Sequence, residues 1–284
     1  MKICRFNEGR LGIVEGDTVR DVTDILDILP TARYPLPVFD PMIARLADIC
    51  AEAERRGGGA THALADVTLL SPVANPGKLV AAPVNYQAHL DEAIADDATF
   101  SRAHVRKIQE TGLFLKATSS MIGVGSPIQL AHPDRRTDHE IELAVVIGRD
   151  CYRASAADAL SYVAGYTIGL DITIRGPEER SLRKSLDTYS VLGPWLVTAD
   201  EIGDPSGREL LLTVDGEVRQ RANTRDLIMD VPALIAFASS YYTLRPGDVI
   251  FTGTPEGVGP ILPGQRMDVS IDGIGAFSID VGQK

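Results

Sequence analysis

The sequence predicts an α+β fold dominated by antiparallel or mixed sheet, because strand-like segments outnumber helical ones and the two do not alternate regularly. Turn signals built from Gly, Pro, Asn and Asp cut both ends of the chain into short extended runs. With 284 residues, 44% of them hydrophobic, the chain can bury a large core, which suits one sizeable domain with a smaller appendage.

Residues 1–28 read as a small meander, extended at 2–6, 11–14 and 18–22 and broken at Asn7-Glu8-Gly9 and Glu15-Gly16-Asp17. A helix follows, with Asp40 as N-cap, Pro41 in the first turn, Met42, Ile43, Leu46, Ile49, Cys50 and Ala53 at helical spacing, and Gly57-Gly58-Gly59 as its stop. Ser71-Pro72 and Asn75-Pro76-Gly77 punctuate an extended connection, so the boundary falls between a small N-terminal α/β domain, 1–70, and a larger domain, 71–284. Residues 90–112 are polar and weakly apolar, the profile of a loosely packed helical segment and a candidate lid. The β-branched and apolar alternation of 127–148 argues strands, and Ser155 with Asp158 caps a short helix through Ala159, Leu160 and Val163 that Gly165 stops. Strand-like runs return at 166–174 and 193–198. The spacing then predicts a helix over 231–242, with Pro232 in its first turn and Leu234, Ile235, Ala238 and Tyr241 on one face. Pro246-Gly247-Asp248 turns into a strand at 249–252, and 267–271 with 276–281, joined across Asp272-Gly273, form a closing hairpin.

Charge excludes some functions. Lys and Arg total 28 against 39 Asp and Glu, a net charge of −11 that repels phosphate backbones and anionic lipid, so neither nucleic acid nor a membrane is expected as a partner. The opening MKICRFNEGR does not read as a secretory signal, and apolar stretches such as 143–147 are too short to span a bilayer. Cys4, Cys50 and Cys151 are widely spaced and odd in number, which suits reduced thiols and a cytoplasmic location.

The sharpest local feature is the run Asp138-His139-Glu140-Ile141-Glu142-Leu143-Ala144-Val145-Val146-Ile147-Gly148. In a strand, Glu140 and Glu142 share a face with Asp138 while Ile141 and Leu143 face the other way. If that strand is buried, like charges there need a positive neutraliser, and a hard divalent cation supplies one. Asp171, in the apolar run Ile168-Gly169-Leu170-Asp171-Ile172, offers a third oxygen ligand, and an all-carboxylate set favours Mg2+, Mn2+ or Ca2+ over Zn2+. On spacing alone, a solvated strand edge with ordinary surface acids fits Glu-x-Glu equally well.

Across roughly residues 70–284 several segments resemble the fumarylacetoacetate hydrolase family. The run 85–92, Asn-Tyr-Gln-Ala-His-Leu-Asp-Glu, is similar to its Asn-Tyr-x-x-His-x-x-Glu segment, and 138–148 to its Glu-x-Glu metal strand. Residues 169–175 resemble the third-ligand strand, 184–188 the active-site lysine segment, and 252–259, Thr-Gly-Thr-Pro-Glu-Gly-Val-Gly, the late Gly-rich loop. The resemblance implies a mainly β catalytic domain of the fumarylacetoacetase C-terminal type, a mixed-sheet roll or sandwich. It also implies a homodimer and a divalent-metal-dependent hydrolase that cleaves a carbon–carbon bond in an acylpyruvate or β-diketo acid. Glu140, Glu142 and Asp171 would hold Mg2+, or else Mn2+ or Ca2+. His89 with Glu92 would take a proton from water, and Lys184 would stabilise the enolate left by cleavage. Tyr86, Arg175, Glu178, Thr188, Gly253 and Thr254 would line the substrate. Taken singly, a lone His is more often structural, a Lys is most often at the surface, and a strand-end Arg equally fits a surface ion pair.

The chain departs from the family's pattern at four positions. Leu170 replaces a frequent Asn, Gly176 a usual Asp, Glu178 a frequent Gln, and Val191 a common Pro. A Glu at 178 disfavours an extra anionic group on the substrate unless it is paired. Other reactions of the same site are decarboxylation of a 2-oxo acid and isomerisation of a muconate-type dioate, and a non-catalytic metal-dependent ligand-binding protein is the reading from another class. No Gly-x-Ser-x-Gly elbow or phosphate loop is present, and His62, His104, His132 and His139 lack metal-ligand spacing.

Overall fold

A computed structural model describes residues 1–95 and 108–284. Among these residues the strands form sheets of twelve, five and three strands. The main path of the large sheet runs Thr61–Ala63, Thr18–Asp21, Arg10–Glu15, Lys2–Phe6, Ser190–Thr198, Val163–Asp171, Ile141–Ile147, Val249–Phe251, Leu79–Ala81 and Phe114–Lys116. Most pairs are antiparallel, but Leu79–Ala81 runs parallel to Val249–Phe251 and Met121–Gly123 parallel to Ser190–Thr198. The fold is α+β, mainly β, with mixed sheets.

The strand Ile141–Ile147 lies between Val163–Asp171 and Val249–Phe251 and is buried along its whole length. A strand covered on both faces must be apolar on both. Alternation sends Ile141, Leu143, Val145 and Ile147 into a core shared with Leu210, Leu212 and Val269, and sends Ala144 and Val146 into a second core with Ile3, Leu11, Ile43 and Phe251.

At the N-terminus, Lys2–Phe6 pairs with Ser190–Thr198, so the first strands continue the large sheet. Asp40 accepts from Met42 N and Ile43 N at 3.0 and 3.1 Å, as an N-cap should, and its other oxygen accepts from Ala74 N and Asn75 N at 2.9 and 3.0 Å. The helix expected there is two, Pro41–Ala44 and Leu46–Arg56, because Arg45 leaves helical geometry with φ −115°.

Two further expectations change. Ser155 and Asp158 do hydrogen-bond at 2.7 Å, but only a 3-10 turn, Ala159–Tyr162, follows. Val163 already belongs to a nine-residue strand, since ladders to Ile141–Ile147 and Ser190–Thr198 on either side override the local cap. The sequence reading also left out the hairpin Glu209–Val214 and Glu217–Asn223, which turns at Asp215 and Gly216 with φ of +51° and +81°. Of the candidate lid, helices Gln87–Ala95 and Ile108–Thr111 are seen, while 96–107, with His104, lie outside the described residues. Among the described residues no helix is long and apolar enough to cross a membrane.

Candidate active site

Glu140 sits at the junction of Thr137–His139 and Ile141–Ile147, Glu142 one turn of the pleat further on, and Asp171 ends the neighbouring strand. Pairing of Ile141 with Leu170 brings Asp171 beside Glu140, and Asp171 N donates to Glu140 O at 2.9 Å. Ile141 and Leu170 point into the first core, so the three carboxylates converge on the opposite face. One oxygen from each lies within 4.8 Å of the others, and all three residues are buried. A solvated strand edge is thereby excluded.

Cations crowd this cluster. Lys184 Nζ lies 2.6 Å from both Glu140 Oε2 and Asp171 Oδ2 and donates to Thr173 Oγ1 at 2.7 Å. Lys116 Nζ donates to Asp171 Oδ1 and, at 2.8 Å, to Tyr189 O. Arg175 reaches Asp138 Oδ2 at 2.7 Å and Glu140 Oε1 at 3.0 Å, and Arg136 reaches Asp138 Oδ1 at 2.8 Å. Burial pushes the Glu140 carboxyl up, but Lys184 and Arg175 outweigh it and hold it at about 2. Burial and then Asp171 push Glu142 well above the usual carboxylate range, because Lys184 offsets them only in part. Among the described residues the ion pairs of Lys184, Lys116 and Arg175 fall on Glu140 and Asp171 and none falls on Glu142, and the donor set is all oxygen, so the residues fit a hard divalent cation. Lys116 escaped the sequence reading, although a lysine sharing a strand face with Phe114 in so short an apolar run was its available signal.

His89, on the helix Gln87–Ala95, is 4% exposed, and its Nδ1 lies 3.0 Å from Glu92 Oε2. Glu92 Oε1 accepts from Gly257 N at 3.0 Å, and Glu142 Oε2 accepts from Gly253 N at 2.6 Å, so one loop fixes both dyad and carboxylate cluster. Gly253 has φ +99°, and a Cβ there would come within 2.7 Å of Asn85 Cβ. Thr254 Oγ1 donates to Ile141 O at 2.9 Å, whereas the Thr188 hydroxyl is tied to the Gln129 backbone, accepting from its N–H at 2.9 Å. Tyr86 is 2% exposed, and burial, then Glu142, push its hydroxyl up, keeping it a neutral donor.

Gln220 is a hub the sequence reading missed. Its oxygen accepts from Ile141 N at 3.1 Å and lies 3.0 Å from His139 Nδ1, while its Nε2 donates to Thr254 Oγ1 and Pro255 O at 2.9 and 3.0 Å. It joins the Glu140 junction to the Gly-rich loop. Gln220→Leu should therefore cost about 2–4 kcal/mol in urea unfolding, since buried groups at Ile141 and Pro255 lose partners. A change below about 0.5 kcal/mol would show the network to be dispensable.

The fumarylacetoacetate (FAA) hydrolase C-terminal family model matches residues 78–281. The chain belongs to the fumarylacetoacetate hydrolase family. It is 55% identical to a maleylpyruvate hydrolase of Aquipseudomonas alcaligenes over 99% of both chains. A 2,4-didehydro-3-deoxy-L-rhamnonate hydrolase of Sphingomonas sp. is 35% identical over 91% of this chain and 85% of the relative. Among solved structures, a maleylpyruvate hydrolase from Sphingobium sp. SYK-6 in complex with manganese(II) and pyruvate matches with a TM-score of 0.85 and 39% identity, covering 100% of this chain and 99% of that one.

The departures from the family's pattern now have physical partners. Leu170 and Val191 are directly opposite in the ladder and both lie in the first core, so the two changes form one apolar contact. Gly176 and Glu178 go with Arg135, which grips Glu178 at both oxygens, 2.9 and 2.8 Å, and donates to Arg175 O at 2.9 Å. A Cβ at 176 would run into Arg135 Nη2 and Glu178 Oε2, so this fork needs the glycine. Arg135 holds the Glu178 carboxyl below its usual range. The unfavourable charge expected of Glu178 is paired.

Proposed function

We propose that this protein hydrolyses the carbon–carbon bond joining the acyl and pyruvate halves of an acylpyruvate, with maleylpyruvate as the substrate and Mg2+ or Mn2+ held by Glu140, Glu142 and Asp171. The observation that carries this reading is the joining of carboxylate cluster and dyad by one loop, Gly253 N–H on Glu142 and Gly257 N–H on Glu92. Likeness along the whole chain to the Aquipseudomonas alcaligenes maleylpyruvate hydrolase supports the substrate.

When bound, the cation supplies Lewis-acid polarisation of the 2-oxo acid end. His89 takes a proton from water, and Glu92, fixed by Gly257 N–H, holds the ring and balances the imidazolium. The hydroxyl adds to the acyl carbonyl carbon. The bond to the pyruvate methylene then breaks, its electron pair leaves as the pyruvate enolate, and a proton returns to that carbon. Lys184, already placed against Glu140 and Asp171, stabilises the enolate charge. Tyr86 donates from its buried hydroxyl to a substrate oxygen, and Arg175 holds Glu140 in place. A cytoplasmic homodimer completes the proposal, with a light-scattering mass of two chains as its check.

The decisive experiment supplies maleylpyruvate, oxaloacetate and a muconate-type dioate to the purified protein with Mg2+ and with Mn2+. Loss of the enol absorption with one maleate and one pyruvate formed per substrate is expected. Carbon dioxide release from oxaloacetate as the fastest reaction, or a shifted double bond without cleavage, would move the assignment to decarboxylase or isomerase. Binding without any turnover would make it a ligand-binding protein.

A further inference from the structure

The helix Gln87–Ala95 carries both members of the dyad, yet little apolar packing holds it: of its nine residues, Leu90 and Ala93 are the buried apolar ones. Most helices keep their place through a buried apolar face, so the position of this one depends on polar anchors. One anchor is Glu92, which accepts from Gly257 N at 3.0 Å. The other stands just ahead of the helix. Asn85 is 0% exposed, and its side-chain amide is fully engaged by main chain. Its Nδ2 donates to Thr252 O at 2.8 Å and Met229 O at 2.9 Å, and its Oδ1 accepts from Met229 N at 2.8 Å. Two carbonyls and one N–H around it allow a single orientation of the amide. The Asn85 carbonyl in turn accepts from Ile228 N at 2.7 Å.

Thr252 completes a route to the carboxylates. Its N–H and its hydroxyl both donate to Leu143 O, at 3.1 and 2.9 Å, and Leu143 follows Glu142 in the strand Ile141–Ile147. The next residue, Gly253, donates from its N–H to Glu142 Oε2 at 2.6 Å. On the other side, Leu90 N donates to Tyr86 O at 3.0 Å, so the first turn of the dyad helix starts directly after Asn85. Asn85 thereby ties the base of the His89 helix to the backbone that holds Glu142. It comes so close because Gly253 has no side chain, since a Cβ there would stand 2.7 Å from Asn85 Cβ.

We propose that Asn85 is a positioning residue that sets how far the His89–Glu92 dyad stands from the carboxylate cluster, acting through His89 rather than on substrate or metal. This rests on the reading above in which His89 activates water, and it adds what fixes that base against the carbon under attack. Three directional hydrogen bonds on one planar amide define a position more narrowly than an apolar contact of the same size. Precision matters here, because a misplacement of about 1 Å can cost about 10²-fold in rate.

The test is a double-variant cycle on maleylpyruvate with full-length, Mn2+-loaded protein: wild type, Asn85→Ser, His89→Ala and the two combined. Asn85→Ser should lower kcat roughly 10- to 100-fold, with Mn2+ affinity and inhibition by oxalate within about threefold of wild type. In the His89→Ala background the same substitution should cost less than about threefold, because both changes act through one base. Asn85→Asp keeps the shape and the bond from Met229 N but loses both donors, so its kcat should fall at least as far. A crystal structure of Asn85→Ser with Mn2+ should show Gln87–Ala95 displaced by about 1 Å against unmoved Glu140, Glu142 and Asp171. Equal losses in both backgrounds, or a helix left in place, would overturn the proposal. So would loss of the thermal transition in both Asn85→Ser and Asn85→Asp, since Asn85 would then hold the fold rather than the dyad. If wild type splits no maleylpyruvate, or His89→Ala turns over like wild type, the reading of the reaction fails instead, and the place of the helix in the crystal still decides the role of Asn85.

Discussion

His89→Ala should lower kcat on an acylpyruvate by roughly 10² to 10⁴ while Mn2+ affinity and inhibition by oxalate stay within about twofold of wild type. The two functions separate because the histidine bonds Glu92 rather than any of the three clustered carboxylates. Hydrolysis needs a base for water, whereas holding the 2-oxo acid head does not. Glu92→Gln should fall in the same direction but less far, since an amide still accepts from Gly257 N–H and keeps the loop in place while losing the charge that steadies the imidazolium. A kcat on the acylpyruvate within about tenfold of wild type would mean that His89 is not the base that activates water. His89 is nearly enclosed, so the thermal transition of His89→Ala must be measured alongside. Loss of the folded state would make it a structural residue.

The parts of the site legible in the sequence are those whose signal is local. A period of two put Glu140 and Glu142 on one face without knowledge of the neighbouring strand, and the run 85–92 marked His89 with Glu92 by its resemblance, three residues apart on what the structure shows to be one helix. What neutralises the carboxylates was not legible, because it arrives through pairing between distant segments. Lys116 reaches Asp171 from 55 residues away, and Gln220 reaches Ile141 from 79 away. Gln220 lies on a strand, Glu217–Asn223, in which it alone is fully buried, so no alternation marks that strand, even though Asp215-Gly216 is a strong hairpin signal. The short helix expected after Ser155 fails for the same reason in reverse: a correct local cap meets two ladders that claim Val163–Asp171. Glu178 shows how composition at one position misleads, since its charge is answered by Arg135, 43 residues earlier, in space that only Gly176 leaves open.

The pairing of Asp171 with two buried lysines makes its replacement affect stability and metal binding together, and a second substitution should separate them. Asp171→Asn keeps the shape of the side chain but removes the charge that faces Lys116, whose side chain is 0% exposed, and Lys184, at 7%. Leaving such ammonium groups uncompensated should destabilise the protein by about 3–5 kcal/mol in denaturant unfolding. Mn2+ affinity should fall by at least about 100-fold, because loss of a ligand exceeds the 10- to 100-fold effect typical of its outer-sphere supports. Lys116→Met removes one of those ammonium groups, and a thioether suits the ring of Phe251, whose centroid is 5.4 Å from Lys116 Nζ. In the double variant Lys116→Met with Asp171→Asn, the stability losses should combine with a favourable coupling of about 2 kcal/mol or more, as expected of residues in direct contact. Mn2+ binding should not return, since no methyl thioether replaces a carboxylate as a ligand for a hard cation. A double variant that binds Mn2+ like wild type would mean that Asp171 serves only to neutralise lysines, and the metal would then have to be held by Glu140 and Glu142 with some other oxygen donor.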